Sequence, residues 1–207
     1  MSGIIAQNTL DNSGLIKSPE GGGAWTFIKK LTADDSGTTL SFVDGSSDVT
    51  LDTTYKEYIF YFVNIQPATD AATFGFNGSI DTGSNYNVAK TSSGFRAFHN
   101  EGGSSTSLAY DATYDEAQGT GVNALTYNIG NDADSSASGY LHLFDPGSPT
   151  FIKHWTARVQ FHHSADYSID GFIGGYFNTT SAVDAIQFSM DSGNIKAGSI
   201  FLHGLTT

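Results

Sequence analysis

Between Phe151 and His163 the side chains alternate with a period of two. Phe151, Trp155, Ala157, Val159 and Phe161 fall on one parity, and Ile152, His154, Thr156, Arg158, Gln160 and His162 on the other. A pleated strand sends successive side chains to opposite faces, so this pattern builds a strand with one core face and one mostly polar face. Just before it, Tyr140-Leu-His-Leu-Phe144 runs into Asp145-Pro-Gly-Ser-Pro149. Proline presets φ there and glycine tolerates values other residues avoid, so the chain reverses. The expectation is a hairpin that pairs 139–145 with 151–162.

The same alternation, with short runs rich in Phe, Tyr, Ile, Val and Thr between Gly, Asn, Asp and Ser, predicts further strands near 24–32, 38–43, 57–64, 72–76, 95–98, 124–129, 171–177, 184–190 and 195–203. Asn77-Gly78 has the composition of a tight hairpin turn, because both residues tolerate positive φ. No segment carries the 3.6-residue stripe of an amphipathic helix. Many short strands without intervening helices imply an all-β, two-sheet antiparallel sandwich, either a jelly roll or a lectin-like one. A chain of 207 residues is long enough for one such domain. It is expected over 24–207, preceded by an extended N-terminal arm and Gly-rich hinge at 1–23.

Charge narrows the function classes. Nine Lys and Arg face 21 Asp and Glu, a formal net charge of −12. A nucleic-acid surface needs clustered cations to neutralise phosphates, so no nucleic-acid partner is expected. No window is apolar enough to span a membrane, and the N-terminus lacks the positive start and apolar block of a secretory signal. With no cysteine there is neither a disulfide framework nor a thiolate metal site.

Catalytic signals are weak. Only Glu20, Glu57, Glu101 and Glu116 exist as glutamates, and no acidic pair stands in the alternating arrangement that puts two carboxyls on one strand face. No G-x-S-x-G elbow and no phosphate-binding glycine loop occurs. His162 and His163 point to opposite faces, and His154 lies about 27 Å from His162 along an extended strand, so neither pair can chelate an ion. Asn131-Asp-Ala-Asp134-Ser-Ser136 opens like a calcium loop but lacks its glycine and its closing glutamate. No enzyme activity, cofactor or metal is therefore expected. Tyr110, Tyr114 and Tyr127, in the Gly-rich stretch 99–139, are candidate aromatic platforms for a sugar. Asn77-Gly-Ser79 and Asn178-Thr-Thr180 match the glycosylation triplet, which matters only to a chain that enters a secretory pathway.

Two regions look like interfaces. The arm carries Ile4, Ile5, Leu10, Leu15 and Ile16 without a sustained period, more large aliphatics than a solvating tail needs. If covered by a neighbour, each contributes about 1.5–3 kcal/mol before ordering costs. The run Tyr58-Ile-Phe-Tyr-Phe-Val63 is apolar on both faces. Either a loop overlays its second face or Tyr58, Phe60, Tyr61 and Phe62 meet another copy, giving a homo-oligomer such as a dimer or trimer.

The run Gly23-Ala-Trp25-Thr-Phe-Ile-Lys-Lys-Leu-Thr-Ala33, then Thr39-Leu-Ser-Phe42, Tyr55-Lys-Glu-Tyr58 and Asn64-Ile-Gln-Pro67, with the ending Ser192-Gly-Asn-Ile-Lys-Ala-Gly-Ser-Ile-Phe-Leu-His-Gly204, resembles virion structural proteins of tailed phages that infect marine bacteria and cyanobacteria. These motifs are structural punctuation. The resemblance implies a β-sandwich component of the particle, on the outer surface of the capsid or on the tail, with no catalytic residues. The first expectation is a capsid decoration, or cement, protein whose arm docks on the major capsid protein or another virion protein. The alternative is a tail-fibre or receptor-binding module for host surface glycan.

Overall fold

A computed structural model describes residues 25–205. Thirteen strands follow one another: β1 (Trp25–Thr32), β2 (Thr39–Val43), β3 (Glu57–Pro67), β4 (Phe74–Ser79), β5 (Lys90–Asn100), β6 (Thr106–Tyr110), β7 (Glu116–Gly119), β8 (Asn123–Ala124), β9 (Ala137–Phe144), β10 (Lys153–His163), β11 (Tyr167–Phe177), β12 (Ala185–Met190) and β13 (Ile195–Leu205). The one helical element among the described residues is a 3-10 turn at Ala112–Tyr114. The broad sheet has the order β1-β13-β3-β9-β10-β11-β5-β6, with β7 also paired to β5; the narrow sheet has the order β2-β12-β4-β8. Every pairing is antiparallel. The two sheets pack face to face, which makes the chain the all-β sandwich its alternation implied.

The core explains why the sheets meet. β12 projects Phe188 from the narrow sheet, fully buried, into ring contacts with Phe42, Phe60, Phe62, Phe74 and Phe76 at centroid distances of 5.1–6.4 Å. Most of these pairs meet edge to face, the arrangement that ring quadrupoles favour. Phe60 and Phe62 come from β3 of the broad sheet, so one side chain joins the layers.

The hairpin of β9 and β10 forms with Trp155 opposite Leu143 and Phe161 opposite Ala137. Its connecting loop is organised by Lys153, whose buried ammonium donates to the carbonyls of Ser148, Phe151 and Thr179.

Three sequence expectations change. Asn77-Gly78 is not a turn: both residues lie within β4, opposite Gln187 and Ile186 of β12. Asn77 is buried and donates its amide to the carbonyls of Tyr86, Thr120 and Gly121 while its oxygen accepts from Lys90 Nζ at 2.9 Å. A Cβ on Gly78 would come within 2.9 Å of the Phe177 ring, so glycine serves close packing here. The expected strand 124–129 shortens to β8, and Ile129 forms only isolated bridges to Ala72 and His163. Finally, Tyr58, Phe60 and Phe62 are buried in the chain's own core, because β3 is an interior strand between β13 and β9. Of the four proposed interface residues only Tyr61, 37% exposed, reaches the outer face.

Replacing Phe188 with alanine removes a contact shared by five rings. Urea unfolding of Phe188→Ala is expected to show a loss of about 3–5 kcal/mol. A loss below about 1 kcal/mol would mean that the layers are joined elsewhere.

Candidate functional site: the outer face of the broad sheet

The narrow sheet covers one face of the broad sheet, and the other face carries the site. Strand register alone determines which side chains line up across it. Starting at β1, Lys30 lies opposite Phe201, Phe201 opposite Tyr61, and Tyr61 opposite Tyr140. The row continues through Arg158, Phe172 and Phe95 to Tyr110 on β6. Eight strands thus contribute one side chain each to a ladder about 34 Å long at the usual strand spacing. Six rungs are aromatic and two are cationic.

Neighbouring rungs hold one another. Lys30 Nζ sits 5.2 Å from the centre of the Phe201 ring, and the Arg158 guanidinium 4.7 Å from that of Phe172. Phe172 stacks on Phe95 with ring centres 4.9 Å apart and planes 6° from parallel. Arg158 also forks onto Asp170, with Nε 3.0 Å from one carboxylate oxygen and Nη2 2.7 Å from the other, so the pair carries no net charge. Tyr110 is 66% exposed and Phe95 47%, and the Tyr110 hydroxyl donates to Asp115, which fixes the ring's direction.

Beside the ladder, on β10, β11 and β5, the next row falls to small residues. Thr156 lies opposite Gly174, and Gly174 opposite Ser93. The result is a trough of about 430 Å³ whose floor is Ser93, Thr156 and Gly174 and whose wall is Tyr140, Arg158, Phe172, Phe95 and Tyr110. A second depression of about 380 Å³ opens at Arg96, Tyr127, His163 and Tyr167. The cation on its lining is already engaged: Arg96 lies against the rings of Tyr127 and Phe98, at 4.9 and 5.4 Å, and 3.0 Å from Asp111.

Of the three tyrosines proposed for sugar, Tyr110 belongs to the trough. Tyr114 is wholly buried and Tyr127 nearly so, their ring centres 6.1 Å apart. The structure does not bring the three together. Glu57 and Glu116 lie apart as well: Glu57 approaches His142 Nε2 to 2.9 Å without hydrogen-bond alignment, while Glu116 starts β7 at the far side of the sheet. His162 contacts Ser135 Oγ at 2.8 Å, and Asn131 is tied to the Ala68 carbonyl. Among the described residues no group of three His, Asp or Glu side chains is placed to share a metal ion. No helix of the described residues is long and apolar enough to cross a membrane. The arm residues Ile4, Ile5, Leu10, Leu15 and Ile16 lie outside the described residues.

Sequence reasoning missed the ladder because its members are far apart in the chain; the signal was an aromatic or cation on the outward parity of strand after strand. The fold and this face define the chain as a two-sheet β-sandwich with one sheet face aromatic and open. No protein-family model, curated protein or solved structure matches the chain.

Two histidines couple the body to pH. Burial is the largest cause holding both below the usual histidine value of 6.5; Glu57 opposes it at His142, and at His163 the positive Arg96 and neighbouring His162 reinforce it while Asp70 opposes it. The unfolded chain therefore binds more protons as pH falls through about 6.5, and the folded state loses stability on acidification. Urea midpoints are expected to fall between pH 7 and 5, and less steeply in His142→Gln/His163→Gln. An unchanged slope in the double variant would assign the pH dependence to other groups.

Proposed function

We propose that this chain is a non-catalytic structural protein of a tailed-phage particle, a decoration protein whose sandwich body rests on the exterior of the shell and whose arm at 1–23 grips the capsid. The observation that carries this reading is where the arm joins the body. Trp25 begins β1, the outermost strand of the broad sheet, and lies opposite Leu205 of the last strand. A segment rooted at that corner can reach a neighbour while the rest of the body stays free. The five aliphatics of the arm supply the apolar area that such a grip needs, and many weak attachments on one shell act together through avidity. The net charge of −12 suits an outer surface facing solvent better than one facing DNA. The major capsid protein is the proposed partner, and the resemblance to marine phage virion proteins supports the particle assignment.

A second reading is favoured by one specific feature, the open aromatic ladder: a receptor-binding module on the tail that recognises host glycan. Location and copy number separate the two. A decoration protein occurs in many copies on heads that lack tails, a receptor binder in few copies on tails alone.

Removing residues 2–22 is expected to leave the unfolding midpoint of the body within the error of the full chain and to abolish its attachment to empty capsids in a co-sedimentation assay. Attachment of the shortened chain with unchanged affinity would contradict the arm-docking reading.

A further inference from the structure

We infer that the trough beside the aromatic ladder is a binding site for an uncharged, pyranose-based glycan chain. This deepens the glycan reading of the open aromatic face, on which it rests, by naming the subsite and the ligand class, and it is independent of the decoration reading.

The chemistry of the walls selects the occupant. A pyranose ring presents a face of C–H groups bordered by hydroxyls, and it therefore needs an aromatic surface and hydrogen-bonding groups within one ring's width. The trough offers both. Phe95 and Tyr110 are the most exposed rings of its wall, while the hydroxyls of Ser93 and Thr156 line its floor. Phe95 and Tyr110 lie opposite each other in register, and both border the trough. From Tyr140 to Tyr110 the wall crosses five strands, about 19 Å at the usual spacing, which fits an oligosaccharide better than a single sugar.

Charge decides against other occupants. Arg158 is neutralised by its two-pronged contact with Asp170, leaving no free cation in the wall for a phosphate, sulfate or uronate to pair with. A chain of net charge −12 repels anionic polymers, and equally a second copy of itself. An uncharged, hydroxyl-rich chain meets neither penalty.

Gly174 gives a clean way to close the site. A Cβ built there comes no nearer than 4.0 Å to any other atom, its closest neighbour being the Trp155 carbonyl, and its φ lies outside the left-handed region. A larger side chain at this position therefore projects into the trough without disturbing the strand. This contrasts with Gly139, where a Cβ would collide with the Arg158 carbonyl.

The test is native affinity electrophoresis of the full chain through gels containing soluble laminarin, xyloglucan, galactomannan or dextran, followed by calorimetric titration with whichever retards it. Retardation is expected in at least one gel. Gly174→Leu is expected to abolish it, and Phe95→Ala and Tyr110→Ala each to weaken binding at least tenfold while the body still unfolds in one cooperative transition. The two alanine variants, at exposed positions, keep the test decisive should Gly174→Leu not fold. No retardation in any of the four gels overturns the inference, as does binding that survives all three substitutions. Concentration-dependent self-association reversed by Gly174→Leu also overturns it, by assigning the trough to a second copy. The chain lacking residues 2–22 is expected to bind glycan as the full chain does, so failure of capsid attachment and failure of glycan binding are read separately.

Discussion

The contact on which the structure depends is the insertion of Phe188 between two sheets of unequal width. A four-stranded layer covers the middle of a much wider one, and the rings of Phe42, Phe60, Phe62, Phe74 and Phe76 close around a single side chain at the crossing. Because β3 supplies two of those rings from alternate positions, its inward parity is fixed as Tyr58, Phe60 and Phe62. A shift of one residue would send all of them to solvent. The outward parity is then fixed too, and Tyr61 takes its place on the open face, edge to face with the rings of Tyr140 and His203.

This link between core and surface is what makes the ladder possible. Four of its side chains are placed by the burial of both neighbours along the same strand: Tyr61 by Phe60 and Phe62, Arg158 by Ala157 and Val159, Phe172 by Gly171 and Ile173, and Phe201 by Ile200 and Leu202, whereas β6, which carries Tyr110, is exposed throughout. The middle of the surface row therefore inherits the rigidity of the core. Cation and ring contacts between rungs add order that such exposed side chains would otherwise lack, so a ligand meets walls that have already given up much of their rotamer freedom.

Much of this architecture could be read from the chain. The hairpin of β9 and β10 follows from alternation plus a Pro-Gly turn, and most strand limits fall within a few residues of expectation. The errors share a physical cause. Asn77-Gly78 carries turn chemistry, yet buried hydrogen bonds from Asn77 and the ring of Phe177 against Gly78 outweigh local preference. Lys90 and Lys153 are buried because carbonyls converge on each ammonium, an arrangement that no local pattern announces. Tyr114 and Tyr127 read as loop aromatics but fold inward, leaving only Tyr110 of that trio on the site. The ladder depends on sheet order, which brings residue 30 into line with 201, 61 and 140; periodicity along one strand carries no information about its neighbour.

In the proposed arrangement the aromatic face of the broad sheet is the working surface and is turned away from the shell that the arm grips. Hydroxyl-radical footprinting of the protein on intact particles, read by mass spectrometry, checks this. Oxidation of Phe95, Tyr110 and Tyr61 at rates close to those of the free protein is expected, with Phe188 unmodified. Protection of all three exposed rings on the particle would show that this face is buried in the assembly and would overturn the arrangement.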